Sequence, residues 1–164
     1  GSEMCIRDRY LIKEFQRLKE EENNLEQSEW NAKRFLTKNN YLIQTDAVKN
    51  YLIPKMNYRE NLQWLAYAEE ADILNVALFG FTAKAWREAN PELAKKNNVR
   101  DFATINELTV LSNLESHNAQ MIKEGKKKEE RFKILQEIAE YQLNVLNTAE
   151  KIKMLEDENQ LVEI

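Results

Sequence analysis

Residues 69–90 read E-E-A-D-I-L-N-V-A-L-F-G-F-T-A-K-A-W-R-E-A-N. An apolar helix punctuated by acids runs to Gly80, and a second, shorter helix restarts at Thr82. Upstream, Leu62, Leu65, Ala66, Ile73, Val76 and Ala77 lie on one broad helical face. Trp64, Tyr67, Leu74, Leu78 and Phe79 widen it until nearly every side is apolar, the pattern of a central bundle helix. Gly80 supplies the left-handed residue that ends such a helix without strain. Thr82 is placed to cap the short helix, which Asn90-Pro91 closes. The whole chain holds only three Gly and two Pro, too few for the tight turns of a strand-rich fold. Apolar residues make up 43% and charged ones 32%, which predicts one all-α helical bundle with a strongly ionised surface.

Upstream of this stretch, residues 10–53 contain neither Gly nor Pro. Leu11, Phe15, Leu18 and Leu25 recur at steps of four and three, with Glu22 in the missing place, and Ala32 and Leu36 continue the face. The interval from Lys19 to Glu29 is too polar for a core. An interruption is expected at Asn39-Asn40, a new helix from Thr45 or Asp46 to Ile53, and a stop at Pro54. Asn57-Tyr58-Arg59-Glu60 has the spacing of a capping box for the next helix. At the start, Gly1-Ser2 resembles a tag scar, and Ser2 to Arg9, S-E-M-C-I-R-D-R, resembles a translated sequencing adapter. Residues 1–9 are therefore expected to be non-native, Cys5 included, with the natural protein beginning further upstream.

Downstream, residues 91–101 read as a polar surface connection. Thr104-Ile105-Asn106-Glu107 forms a second capping box, opening a helix that carries Ile105, Leu108, Leu111, Ala119 and Ile122 to a stop at Gly125. Residues 10–125 make up the predicted helical domain, and 126–164 a long C-terminal helix. In that helix Ile134, Ile138, Tyr141, Val145, Thr148, Ile152, Leu155, Asn159 and Val162 follow steps of four and three throughout. With Ile138 at position a, Val145, Ile152 and Asn159 are the later a positions. A β-branched a series with one Asn is favoured in two-stranded parallel coiled coils. Lys151 and Glu156 fall where they would pair between chains. A homo-oligomer, a dimer by preference, is the expectation, and an antiparallel bundle helix with a frayed end is its alternative.

Chemistry-bearing patterns are sparse. Glu69 and Asp72 share a face near Glu70, but a di-iron bundle needs Glu-x-x-His repeats. The single His117 has Leu114 three residues before it. These acids are expected to face water or to pair with Arg59, Arg87 or Arg100. His117 has no reactive Cys or serine elbow to serve, and no phosphate loop, zinc spacing or dinucleotide fingerprint occurs. No catalytic, cofactor-binding or metal-ligating residue is assigned, and no enzyme is expected. The net charge of −4 argues against a basic nucleic-acid surface. No apolar run of about eighteen residues exists to span a membrane. One cysteine fits a reducing, cytoplasmic setting.

Two surface features stay open. Lys95, Lys96, Lys126, Lys127 and Lys128 form a phosphate patch if the fold unites them, and otherwise solvated loops. Trp86-Arg87 and Arg100-Asp101 either brace a helix junction or expose a partner-binding hot spot, where Trp and Arg dominate.

Y-L-I-K-E-F-Q-R-L-K at Tyr10–Lys19 resembles the closing helix of the KilA-N domain, a DNA-binding module of phages and mobile elements. W-N-A-K-R-F-L-T-K-N-N-Y at Trp30–Tyr41 and T-D-A-V-K-N-Y-L-I-P at Thr45–Pro54 are similar to the segment that follows that module. Glu70–Arg87 and Arg100–Ser116 resemble the same C-terminal region, which is also similar to the end of DNA-damage-inducible protein D. The resemblance covers Tyr10 to Tyr141. It implies an accessory region whose DNA-binding part lies upstream and is missing here, with no catalytic residues to carry over. It departs at Lys126-Lys127-Lys128, where the family often has a proline, and the heptads beyond Tyr141 outrun it. The expected role is oligomerisation or partner contact for a DNA-binding regulator. The rival is a stand-alone nucleic-acid or recombination-protein binding module, in DNA damage or phage–host conflict.

Overall fold

A computed structural model describes residues 2–57 and 59–162. The architecture is all-α: α1 (Ser2–Ala47), α2 (Gln63–Phe79), α3 (Ala83–Ala89), α4 (Ile105–Lys123) and α5 (Lys128–Val162), joined by short turns. No strand occurs among the described residues, and no described helix is long and apolar enough to cross a membrane. Two compact units are resolved, Gly1–Ala32 and Lys33–Ile164, and α5 belongs to the second.

Within the first unit, Leu11, Phe15, Leu18 and Leu25 are all exposed. Arg17 bonds Glu14 and Glu21 on the same helix, and pairs as exposed as these add little to stability because water and salt screen them. The side chain of Cys5 lies outside the described residues.

The second unit is organised around α4. Ten of its residues are buried, against five in α2, which corrects the expectation that α2 is the central helix. Trp64 on α2 is 61% exposed, so the all-round apolar pattern there includes side chains left at the surface. One core cluster joins Ile73 and Leu74 of α2 to Val110, Leu111, Leu114 and Met121 of α4 and to Leu135 and Ala139 of α5. A second sets Ala47 and Val48 against Ala66, Ala119 and Ile122.

The helix boundaries show where tertiary contacts overrule local preference. α1 does not break at Asn39-Asn40. The Asn40 amide instead donates to the Ser112 carbonyl at 2.8 Å and to its hydroxyl oxygen at 2.6 Å, which removes its competition with the helix backbone. No new helix starts at Thr45 or Asp46 either. The Thr45 hydroxyl donates back to the Leu42 carbonyl, and α1 passes into a single π-helical turn, Val48–Leu52. Val48 in that turn is fully packed into the second cluster. Pro54 falls inside a 3₁₀ turn, Ile53–Lys55, and the chain becomes extended only at Met56.

The capping box expected at Asn57 is not formed. The next turn, Glu60–Leu62, has Arg59 at its N-cap with no side-chain bond, and Tyr58 lies outside the described residues. The other signals hold. Gly80 ends α2 at φ 83°, Thr82 accepts from the Ala85 amide at 3.1 Å to open α3, and Thr104 and Glu107 form their reciprocal box. Gly125 follows α4 with φ 81°.

Candidate functional site

Besides Ser112, the buried face of α4 carries two polar residues one turn apart, Glu115 and Asn118, and each organises a cluster. Asn118 lies in the first. Its amide donates to Glu70 Oε2 at 2.9 Å and to Gln44 Oε1 at 3.4 Å, while its oxygen accepts from Arg131 at 2.7 Å. Arg131 meets Glu70 with two nitrogens, at 2.6 and 2.8 Å, and its Nε donates to the Lys126 carbonyl at 3.1 Å. Gln44, Glu70, Asn118 and Arg131 are all at most 2% exposed. This set is internally satisfied, leaving nothing aimed at solvent, and ties α1, α2 and α5 to α4.

The second cluster opens onto a cleft. Glu115, fully buried, accepts from Arg100 at 2.8 Å through Oε1, while its Oε2 has no partner. Burial pushes its carboxyl up to about 7, against the opposing pull of Arg100 and, more weakly, Arg34. Arg100 also lies over the Tyr41 ring, 5.7 Å from its centroid. Arg34 reaches Asp101 at 3.4 Å, and Asp101 in turn accepts from the Asn98 amide in a capping box that orders residues 98–102. The cleft beside these groups has a volume of about 320 Å³ and is bounded by Arg34, Lys38 and Tyr41 of α1, Asn75 of α2 and Arg100. Ala71, Ala83 and Val99 supply its apolar walls. Asn75 is 4% exposed, and its Oδ1 has no hydrogen-bond partner.

The residues singled out by sequence distribute unevenly around this geometry. Arg100 and Asp101 take part in the second cluster, as partners of Glu115 and Arg34. Trp86 is half-buried against Phe102, ring centroids 5.8 Å apart, while Arg87 is exposed and makes no bond to the Arg100–Asp101 pair. The acids of α2 do not pair with Arg59, Arg87 or Arg100. Glu70 takes Arg131, and Glu69 takes Lys128 at 3.3 Å. Lys95 bonds Glu92.

His117 is exposed and lines a cleft of about 540 Å³ with Asp46, Tyr51, Ser116 and Lys123. Among the described residues no three His, Cys, Asp or Glu side chains gather as a metal site would require. On α5, Ile138 is half-buried against the core, whereas Tyr141, Val145, Ile152 and Leu155 are 71, 47, 52 and 51% exposed. From residue 147 to 162, Asn159 included, every position is exposed.

Arg34, Lys38, Tyr41, Gln44, Asn75, Glu115, Asn118 and Arg131 were not legible as site residues. The signal for several of them is a charge or amide at core spacing. Arg131 stands four residues before Leu135 and eight before Ala139, and Glu115 follows Leu111 by four. A polar residue at such a position must be paired. No protein-family model, curated protein or solved structure matches this chain.

Proposed function

We propose that this chain is the oligomerisation and partner-binding part of a cytoplasmic KilA-N-type DNA-binding regulator of a phage or mobile element, its DNA read by a domain outside these residues. One observation carries the self-association: the four-three stripe of α5 leaves the bundle core after Ile138 and continues uncovered through Val145, Ile152 and Leu155. In a monomer that stripe gains nothing from its regularity. In a parallel pair of α5 helices, each side chain fills a hole on the partner, and Asn159 fixes the register. Joining two chains in this way presents two DNA-reading heads together, so that binding by one raises the effective concentration of the other. The half-exposed Trp86–Phe102 pair and neighbouring Arg87 offer a second contact surface, for a protein partner.

Analytical ultracentrifugation tests the reading. The chain is expected to sediment as a dimer, and Ile152→Glu with Leu155→Glu as a monomer of unchanged bundle stability. A strictly monomeric wild-type chain that binds DNA with steep salt dependence would overturn it, in favour of a stand-alone nucleic-acid binding module.

A further inference from the structure

The cleft beside Arg100 is built from four separate parts of the second unit, and none of the α5 stripe enters it. Three cations line it, Arg34, Lys38 and Arg100. Arg34 and Arg100 are largely buried and held in place by Asp101, Glu115 and the Tyr41 ring. Lys38 has no ion-pair partner among the described residues. Even with both acids ionised, the rim therefore carries an excess of positive charge. Asn75 also lines the cleft, and its Oδ1 is an acceptor left without a donor. An unpaired buried acceptor costs about 1–3 kcal/mol, which a donor arriving in the cleft would relieve. Small side chains at Ala71 and Ala83 leave the intervening volume open. About 320 Å³ lies at the small end of ligand sites, the size of a compact metabolite.

We propose that this cleft binds a small organic anion, whose carboxylate or phosphate group is held by Arg34, Lys38 and Arg100 and whose N–H or O–H group donates to Asn75 Oδ1. The ligand must therefore carry both groups on one short skeleton. Forked guanidinium donors suit either oxyanion. A ligand that carries the donor is preferred over an anion that lacks it, because only the former pairs the Asn75 acceptor that is otherwise left unmatched.

Titration of the full chain at low ionic strength, followed by amide chemical shifts, tests this. The probes are acetate against glycolate and methyl phosphate against glycerol 3-phosphate. Each pair differs in whether a hydroxyl donor is present, and the comparison of pairs separates a carboxylate ligand from a phosphate one. Saturable one-to-one shifts at Tyr41, Asn75 and Arg100 are expected, with the hydroxylated member of one pair tighter. Lys38 is exposed, so Lys38→Glu keeps the fold and is expected to weaken binding by about tenfold or more. Asn75→Leu, checked for its helical spectrum, is expected to erase the preference for the hydroxylated probe. The proposal is overturned if no probe gives a saturable shift at millimolar concentration, or if Lys38→Glu binds as wild type does.

Discussion

Arg131 of α5 holds Glu70 of α2 fork to fork across 61 residues of sequence, Nη1 to Oε2 at 2.6 Å and Nη2 to Oε1 at 2.8 Å. Both side chains are all but excluded from water. The pair costs desolvation energy to assemble, and the Asn118 and Lys126 bonds around it are what make that cost tolerable. The bonds of Arg131 reach α2, α4 and the Lys126 carbonyl at once, so a shift of α5 along α4 would break all of them.

Removing one partner strands the other in the core. Arg131→Ala and Glu70→Ala are each expected to lower unfolding free energy by about 3–5 kcal/mol, read as a shift in urea midpoint. Replacing both together by Met and Leu is expected to recover most of that loss, because no buried charge is then left unmatched. A double variant as unstable as the singles would show that packing, rather than charge, dominates the site.

Glu115 supplies a pH signature. Its carboxyl is raised by burial from 4.5 to about 7 in the folded chain, opposed by Arg100 from the 98–102 turn and Arg34 from α1. Between these two values the folded state holds a proton that the unfolded state has released. Stability from this group is therefore fully present below about 4.5 and is lost as pH rises toward about 7, a change on the order of 3 kcal/mol. Urea melts across that window should show a downward slope that Glu115→Gln flattens. An identical slope in the variant would assign the effect to other groups.

The sequence made the helices legible and the polar core largely illegible, for different physical reasons. Thr82, Thr104 and Gly80 act through bonds and backbone angles within a few residues, so their roles follow from local chemistry. Asn40 does not, because its partner Ser112 is 72 residues away, and locally an Asn-Asn pair reads as a break. The acids of α2 show the same limit: their exposure to a cation was foreseeable, but the choice of Arg131 depends on how α5 lies on α4. The cleft was invisible for the same reason, since Arg34, Asn75 and Arg100 come from three elements that only the fold assembles.

Gly80 isolates the energetic cost of backbone geometry. Its φ is 83°, and a Cβ built there meets nothing within 4 Å. Gly80→Ala is therefore expected to cost only the left-handed strain, about 1–2 kcal/mol, with no repacking visible in the Phe79 and Phe81 side-chain resonances. A larger loss would mean that the α2–α3 corner rearranges.

Asn159 tests the coiled-coil reading from the opposite direction to a disruptive variant. As the sole polar residue in the a series of Ile138, Val145 and Ile152, it should reduce the stability of a paired α5 while fixing its strand number and register. Asn159→Ile is accordingly expected to raise the thermal stability of the assembled state and to broaden the distribution of oligomers seen by light scattering, trimers appearing beside dimers. If α5 is instead a solitary helix with an exposed end, the substitution adds one apolar surface residue, changes stability by less than about 0.5 kcal/mol and leaves a single species at the monomer mass. The two outcomes differ in both mass and melting behaviour, so neither can be mistaken for the other.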